Sequence, residues 1–149
     1  MSQNVVIADA SCLIVLQNIG ELSLLQKLFG EVFITEEIEK EFGLEMPEWI
    51  KVKEIQNPAQ KNALTLILDK GEASAIALSL EIKNSLLIID EKKGRRMAQE
   101  LGLKIIGTLG VILKAGENNL IASVEDLLKK LEKADFYISP NLKNRILQK

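Results

Sequence analysis

Val5-Val6-Ile7-Ala8-Asp9 is a short apolar run, β-branched over its first three positions, that stops on a carboxylate. Leu86-Leu87-Ile88-Ile89-Asp90 repeats the arrangement later in the chain. A continuous apolar run, without alternation of apolar and polar residues, suits a strand covered on both faces, and such strands belong to parallel sheets. Lys104-Ile105-Ile106, ending at Gly107, reads as a third strand, and Val32-Phe33-Ile34 as a fourth, weaker one.

Helical segments lie between these runs. Cys12 to Ile19 and Glu21 to Phe29 form an apolar pair punctuated by Gly20 and Gly30. Thr35 can cap a helix through Phe42. Asn57-Pro58 opens one running to about Leu68, with proline at the first helical position. Glu72 to Lys83 follows, with Ile76, Ala77 and Leu80 on one face, then Gly94 to Leu101 and a short Leu109 to Ala115. Ser123-Val124-Glu125-Asp126 resembles a capping box for a helix to about Lys133, and Ser139-Pro140 opens the last. Gly43 to Asn57 is the least regular stretch, a surface excursion or a short edge strand. Strands separated by helices imply parallel crossovers and an α/β three-layer sandwich with a central, mostly parallel sheet flanked by helices. The 149 residues are the size of one domain, 1–149, with no repeat or linker.

Composition restricts the chemistry. There is no histidine, which removes Ser-His-Asp and Cys-His mechanisms and histidine-ligated zinc. The single cysteine, Cys12, can form no intramolecular disulfide and fits a reducing compartment. No basic leader precedes Val5 to Ala8, and no apolar run approaches the roughly 20 residues that span a bilayer, so the expected setting is cytoplasmic, without a membrane. The net charge is −2, so contact with nucleic acid would need a local basic patch or a bridging metal. Carboxylates, hydroxyls, lysines and arginines must carry any reaction.

Asp9 and Asp90 each follow a strand directly. In open parallel sheets ligands bind beyond the carboxyl ends of the strands, so two such residues can converge on one ligand. Each can also serve simply as a helix cap. Ser11 adds a hydroxyl at the same edge, with the same capping alternative. Glu37 and Glu41 share a helix face; Glu41 is expected at the border of the buried stripe and Glu37 on a solvated acidic face. Glu72 follows Gly71 at a helix start, where the helix dipole alone favours a carboxylate. Lys92, Lys93, Arg95 and Arg96 cluster just after Asp90-Glu91, against the dipole of their helix. They read equally as phosphate contacts or as solvated charge paired with Glu91 and Glu100.

In this order the residues resemble PIN-domain nucleases. Asp9-Ala10-Ser11 is similar to the opening motif of that family, and Ile34-Thr35 through Glu41-Phe42 to its second. Gly71-Glu72-Ala73-Ser74-Ala75-Ile76-Ala77 is similar to the third, and Ile89-Asp90-Glu91-Lys92-Lys93-Gly94-Arg95-Arg96 to the fourth. Gly107-Thr108-Leu109-Gly110 resembles a stretch of one branch, described as nucleic-acid-binding proteins. The resemblance runs from Asn4 to about Ile138. It implies that Asp9, Glu41, Glu72 and Asp90 are acidic ligands of Mg²⁺ or Mn²⁺ and that Ser11 is the family's hydroxyl. Glu72 stands where many relatives have Asp, and Glu91 where this branch commonly has a second Asp. It further implies a metal-dependent endoribonuclease acting on single-stranded RNA, often a toxin restrained by a small antitoxin protein, with homodimers common. Arg95 and Arg96 would hold the RNA.

Two other readings remain. Haloacid-dehalogenase-like phosphatases also place Asp after a strand, but they need a second Asp where Ser11 stands, and P-loop and GxGxxG motifs are absent. The other is a catalytically weak module of the same fold that binds RNA or a protein partner; the complete set of four carboxylates speaks against it.

Overall fold

A computed structural model describes residues 4–148. The apolar runs become β1 (Val5–Ala8), β2 (Val32–Ile34), β4 (Ser85–Ile88) and β5 (Lys104–Ile106). The irregular stretch supplies β3 (Ile50–Val52), an edge strand. All neighbouring strands pair in parallel, in the order β3-β2-β1-β4-β5. Ile7, Ile34, Leu87 and Ile88 are fully buried, as coverage of both faces demands. Each contributes roughly 1.5–3 kcal/mol by leaving water.

The helices are α1 (Ala10–Asn18), α2 (Ser23–Phe29), α3 (Glu36–Phe42), α4 (Pro58–Leu64), α5 (Lys70–Glu81), α6 (Lys92–Glu100), α7 (Thr108–Glu117), α8 (Val124–Lys133) and α9 (Pro140–Leu147). Helix α5 packs on β1 and β4 with α3, α4 and α6 around it. Helix α2 packs on β2 and α7, and α7 on α8. The result is the three-layer α/β sandwich with a parallel central sheet. No single described helix is long and apolar enough to cross a membrane.

Several helix bounds differ from the sequence expectation, and those of α5, α4 and α6 bear on the site. Helix α5 is not one-sided: every residue from Gly71 to Ser79 is buried, because neighbours close on it from all sides and its Gly, Ala and Ser residues let them approach. It also begins two residues earlier than expected, since Asp69 caps it by accepting a hydrogen bond from the Glu72 amide at 2.9 Å. Helix α4 ends at Leu64, four residues before Leu68, in a series of tight turns. Helix α6 starts before Gly94, at Lys92, because the Glu91 carboxylate caps it through the Gly94 amide at 3.1 Å.

The strand order locates the functional edge. Connections leave β1 toward β2 on one side, and β4 lies on its other side, so the order reverses between β1 and β4. Beyond the carboxyl ends of two such strands a crevice opens between diverging connections. Asp9 ends β1 and Asp90 stands just past β4.

Candidate active site

Asp9 is 2 % exposed, and its Oδ1 accepts a hydrogen bond from the Ala10 amide at 2.9 Å. It therefore does cap α1. That bond is outweighed by burial, which with the charges of Glu41, Asp69 and Asp90 pushes its pKa up to about 7. A cap alone needs no such company of like charges.

Glu72 meets a stronger conflict, at 6 % exposure. Burial first, then the charge of Asp69 and the neighbouring Glu91 carboxyl, raise it to about 8. Its Oε2 is buried with no hydrogen-bond partner. Glu91, held low chiefly by the Gly94 amide, stays ionised beside it. Burial among these acids thus favours the uncharged form of Glu72 in the absence of a cation.

Glu41 extends from α3 toward the start of α5. Burial and the charge of Asp69 raise its pKa. Two glycines make room for these side chains. A Cβ at Gly71 would lie 2.5 Å from Glu41 Oε1, and one at Gly94 would lie 2.8 Å from Glu72 Oε2. Helix α3 is locked to α5 by a buried hydroxyl pair, Thr35 Oγ1 and Ser74 Oγ at 2.7 Å, with Ser74 donating to the Gly71 carbonyl at 2.7 Å.

Asp90 is held from the end of β5. Its Oδ1 accepts from the Thr108 amide at 2.7 Å and its Oδ2 from the Thr108 hydroxyl. The Thr108 side chain is fully buried and also meets the Cys12 thiol. That thiol is pushed up to about 12, mainly by burial, so the only cysteine is no nucleophile.

The structure thus gathers Asp9, Glu41 and Glu72 with Asp69, and sets Asp90 within electrostatic reach of Asp9. Among the described residues none of these five carboxylates has an ion-pair partner. Asp69 is a member that the sequence reading misses. The pattern Asp69-Lys70-Gly71-Glu72, a cap followed by Glu three residues on, is the signal that could have found it. Thr108 stands in the sequence only as part of a motif, and its bond to Asp90 is a tertiary one.

Other expected residues fall outside the cluster. Ser11 is exposed on α1 and makes no hydrogen bond to a carboxylate among the described residues. Arg95 donates to the Ile89 carbonyl at 2.8 Å, which fixes it beside Asp90; a Cβ at Gly107 would touch both side chains at 2.9 Å. Arg96 is exposed. Among the described residues the basic cluster of α6 forms no ion pair with Glu91 or Glu100, since Glu91 is used as the cap. Glu37 is not simply solvated: it pairs with Lys61 at 2.7 Å. Burial would raise its pKa, but the Lys61 ammonium overrides this and holds it below the ordinary value.

The donor set suits a hard divalent cation, because it consists of carboxyl oxygens without an ion-pair partner among the described residues, one of them orphaned and buried. Among the described residues no three acidic side chains are yet spaced as ligands of one ion. Side-chain rotation would have to complete a shell, and Glu41, exposed and without a hydrogen-bond partner among the described residues, has the most room to move.

No curated protein and no solved structure matches the chain. A family model described as a PIN domain matches residues 5–149. PIN domains are generally nucleases and typically use divalent metals. That match covers nearly the whole chain, and the chain belongs to the PIN-domain family.

Proposed function

We propose that the chain is a divalent-metal-dependent endoribonuclease that hydrolyses phosphodiester bonds in single-stranded RNA. The observation that carries this reading is the acidic edge, whose five carboxylates enter no ion pair among the described residues. Asp9, Glu41, Asp69 and Glu72 lie close enough to repel one another, with Asp90 within reach of Asp9; Asp9 is lifted to about 7 and Glu72 to about 8, and Glu72 Oε2 is buried without a partner among the described residues. Such a group costs folding energy unless protons or a cation neutralise it.

Asp9, Glu41, Glu72 and Asp90 would hold Mg²⁺ or Mn²⁺, with Asp69 adding charge and Thr108 fixing the orientation of Asp90. When bound, a divalent cation lowers the pKa of a coordinated water and offsets charge on the phosphate. The protein's own share is then positional. Asp9, set rigidly at the end of β1, orients the attacking side, and Arg95, anchored on the Ile89 carbonyl, directs its remaining donors at a phosphate oxygen. Ser11 is left to contact substrate from the exposed face of α1.

Restraint by a small antitoxin protein and homodimerisation are further parts of this reading that rest on family resemblance, and cytoplasmic placement is a part that rests on the single cysteine. A second reading, a catalytically weak module binding RNA or a protein partner, draws on the spacing of the acids, since no three yet meet as ligands of one ion among the described residues. The deciding experiment is a cleavage assay on unstructured RNA with Mn²⁺ or EDTA, using identically purified wild type and Asp9→Asn. Cleavage that needs metal and is lost in Asp9→Asn supports the nuclease. Metal binding shown by calorimetry without cleavage of any RNA favours the module.

A further inference from the structure

A pocket of about 480 Å³ opens beside the acidic edge, beyond the carboxyl ends of β2 and β3. Four lysines from four different segments line it: Lys40 on α3, Lys53 just after β3, Lys61 on α4 and Lys70 at the start of α5. Glu36, Glu37 and Glu54 line it as well. Glu37 is already neutralised by Lys61, to which it is paired at 2.7 Å with both side chains about a quarter exposed. Among the described residues no ion pair engages Lys40, Lys53 or Lys70. Three unpaired cations therefore face two carboxylates, in a chain whose net charge is −2. Lys53 is also oriented, its ammonium lying 5.1 Å from the centre of the Phe33 ring.

The pocket borders the acidic cluster through residues adjacent in the chain. Lys70 stands between Asp69 and Gly71, and Lys40 precedes Glu41 on α3. Along the carboxyl edge the order of strands sets an order of charge: lysines beyond β3 and β2, Asp9 at β1, Asp90 just past β4, and Arg95 and Arg96 on α6 after it. The end of β3 is about 10 Å, two strand spacings, from the end of β1. A polyanion lying across the sheet edge would meet positive charge on both sides of the acids. The size of the pocket is in the range that holds small ligands.

We propose that this lysine pocket is a phosphate subsite that takes the backbone of the RNA strand on the β2–β3 side of the scissile bond. The α6 arginines take it on the other side, so the strand crosses the edge of the sheet at right angles to the β-strands. Phosphate contacts of this kind set position and direction without reading sequence. The proposal rests on the ribonuclease reading, and the test separates the two.

Binding of a fluorescent oligouridylate of about ten nucleotides is measured over a range of salt in the Asp9→Asn background, where cleavage does not interfere. Lys53→Gln/Lys70→Gln is compared with Lys114→Gln/Lys133→Gln, a control pair on α7 and α8 in the other layer. The pocket pair is expected to weaken binding about tenfold at low salt and to reduce the slope of log K against log salt by about 0.7 for each phosphate that the protein no longer neutralises. The control pair should do neither, and melting midpoints should match. Lysine acetylation of the unmutated protein, with and without oligouridylate, gives an independent reading: Lys53 and Lys70 should be protected. Unchanged affinity, slope and acetylation, with binding weakened only by Arg95→Gln/Arg96→Gln, overturns the subsite and leaves the nuclease intact. Absence of oligouridylate binding by the unmutated chain and by Asp9→Asn overturns both.

Discussion

The two ends of α5 each carry a glutamate, and the two are treated oppositely. At the C-terminal end Glu81 accepts from the Gln56 amide at 2.8 Å and the Asn57 amide at 2.9 Å, one bond to each carboxylate oxygen. Nearby Ser85 and Ser79 are buried and satisfied, Ser85 donating to the Ser79 carbonyl and Ser79 to that of Ala75. At the N-terminal end Glu72 is buried among other acids with Oε2 unpartnered. One end of the helix satisfies its polar groups with backbone partners, as structural residues do. The other leaves charge unmet, at the carboxyl edge of the sheet where a ligand belongs.

The largest effect should come from removing charge at the unmet end. Asp9→Asn keeps shape and loses the carboxylate; RNA cleavage should fall about 10³-fold, on the order of 4 kcal/mol in the barrier. Single-turnover cleavage with wild type alongside measures this, and activity within a few-fold of wild type would break the assignment of Asp9.

The next test sets the two glutamates of α5 against each other by thermal melting. At a Mn²⁺ concentration of about 100 times Kd, binding to the native state adds about 2.7 kcal/mol, or roughly 5–10 °C for a chain of this size. Glu72→Gln should lose most of that shift while melting close to wild type without metal, because the amide replaces a carboxyl whose burial already favours the uncharged form. Glu81→Ala should do the reverse, costing about 1 kcal/mol for two exposed backbone bonds and keeping the Mn²⁺ shift. Similar behaviour of the two variants would mean that the contrast between the ends is not functional.

A third effect appears in pH. Asp9 rises from 3.8 to about 7 and Glu72 from 4.5 to about 8 on folding. Between those limits the native state holds protons that the unfolded chain has lost. Metal-free stability from these groups is thus full below about pH 4 and is lost as pH rises through 7 and 8. Denaturant titrations without metal should show this decline, and Asp9→Asn/Glu72→Gln should flatten it. Mn²⁺ competes with the same protons, so its stabilisation should be greater at about pH 8 than at about pH 6. A metal-free stability that climbs over this range would contradict the electrostatic account.

The smallest effect concerns the hold on Asp90. Thr108→Val removes the hydroxyl donor to Oδ2 but keeps the amide bond to Oδ1. Stability should drop by about 1 kcal/mol, and Mn²⁺ affinity by a few-fold, with Thr108→Ser restoring both. Restoration of stability but not of affinity would make Thr108 merely a packing residue.

What the sequence determined by itself is local in kind. Apolar runs ending on Asp9 and Asp90 mark the central strands and their ligand-bearing ends, because strand burial and strand termination are written in a few adjacent residues. The motifs around these acids and glycines, taken in order, are enough for a resemblance to the family. Helix boundaries are less legible: α5 and α6 begin earlier than their glycines suggest because Asp69 and Glu91 cap them, which depends on a side chain turning back on the backbone. Only the tertiary structure decided the rest. It brought Asp69 into the cluster, closed neighbours around α5, joined Thr108 to Asp90 across 18 positions and collected lysines from four segments into one pocket. Burial, pKa and charge surplus depend on which atoms surround a group in space, and those atoms come from elements that no local pattern brings together.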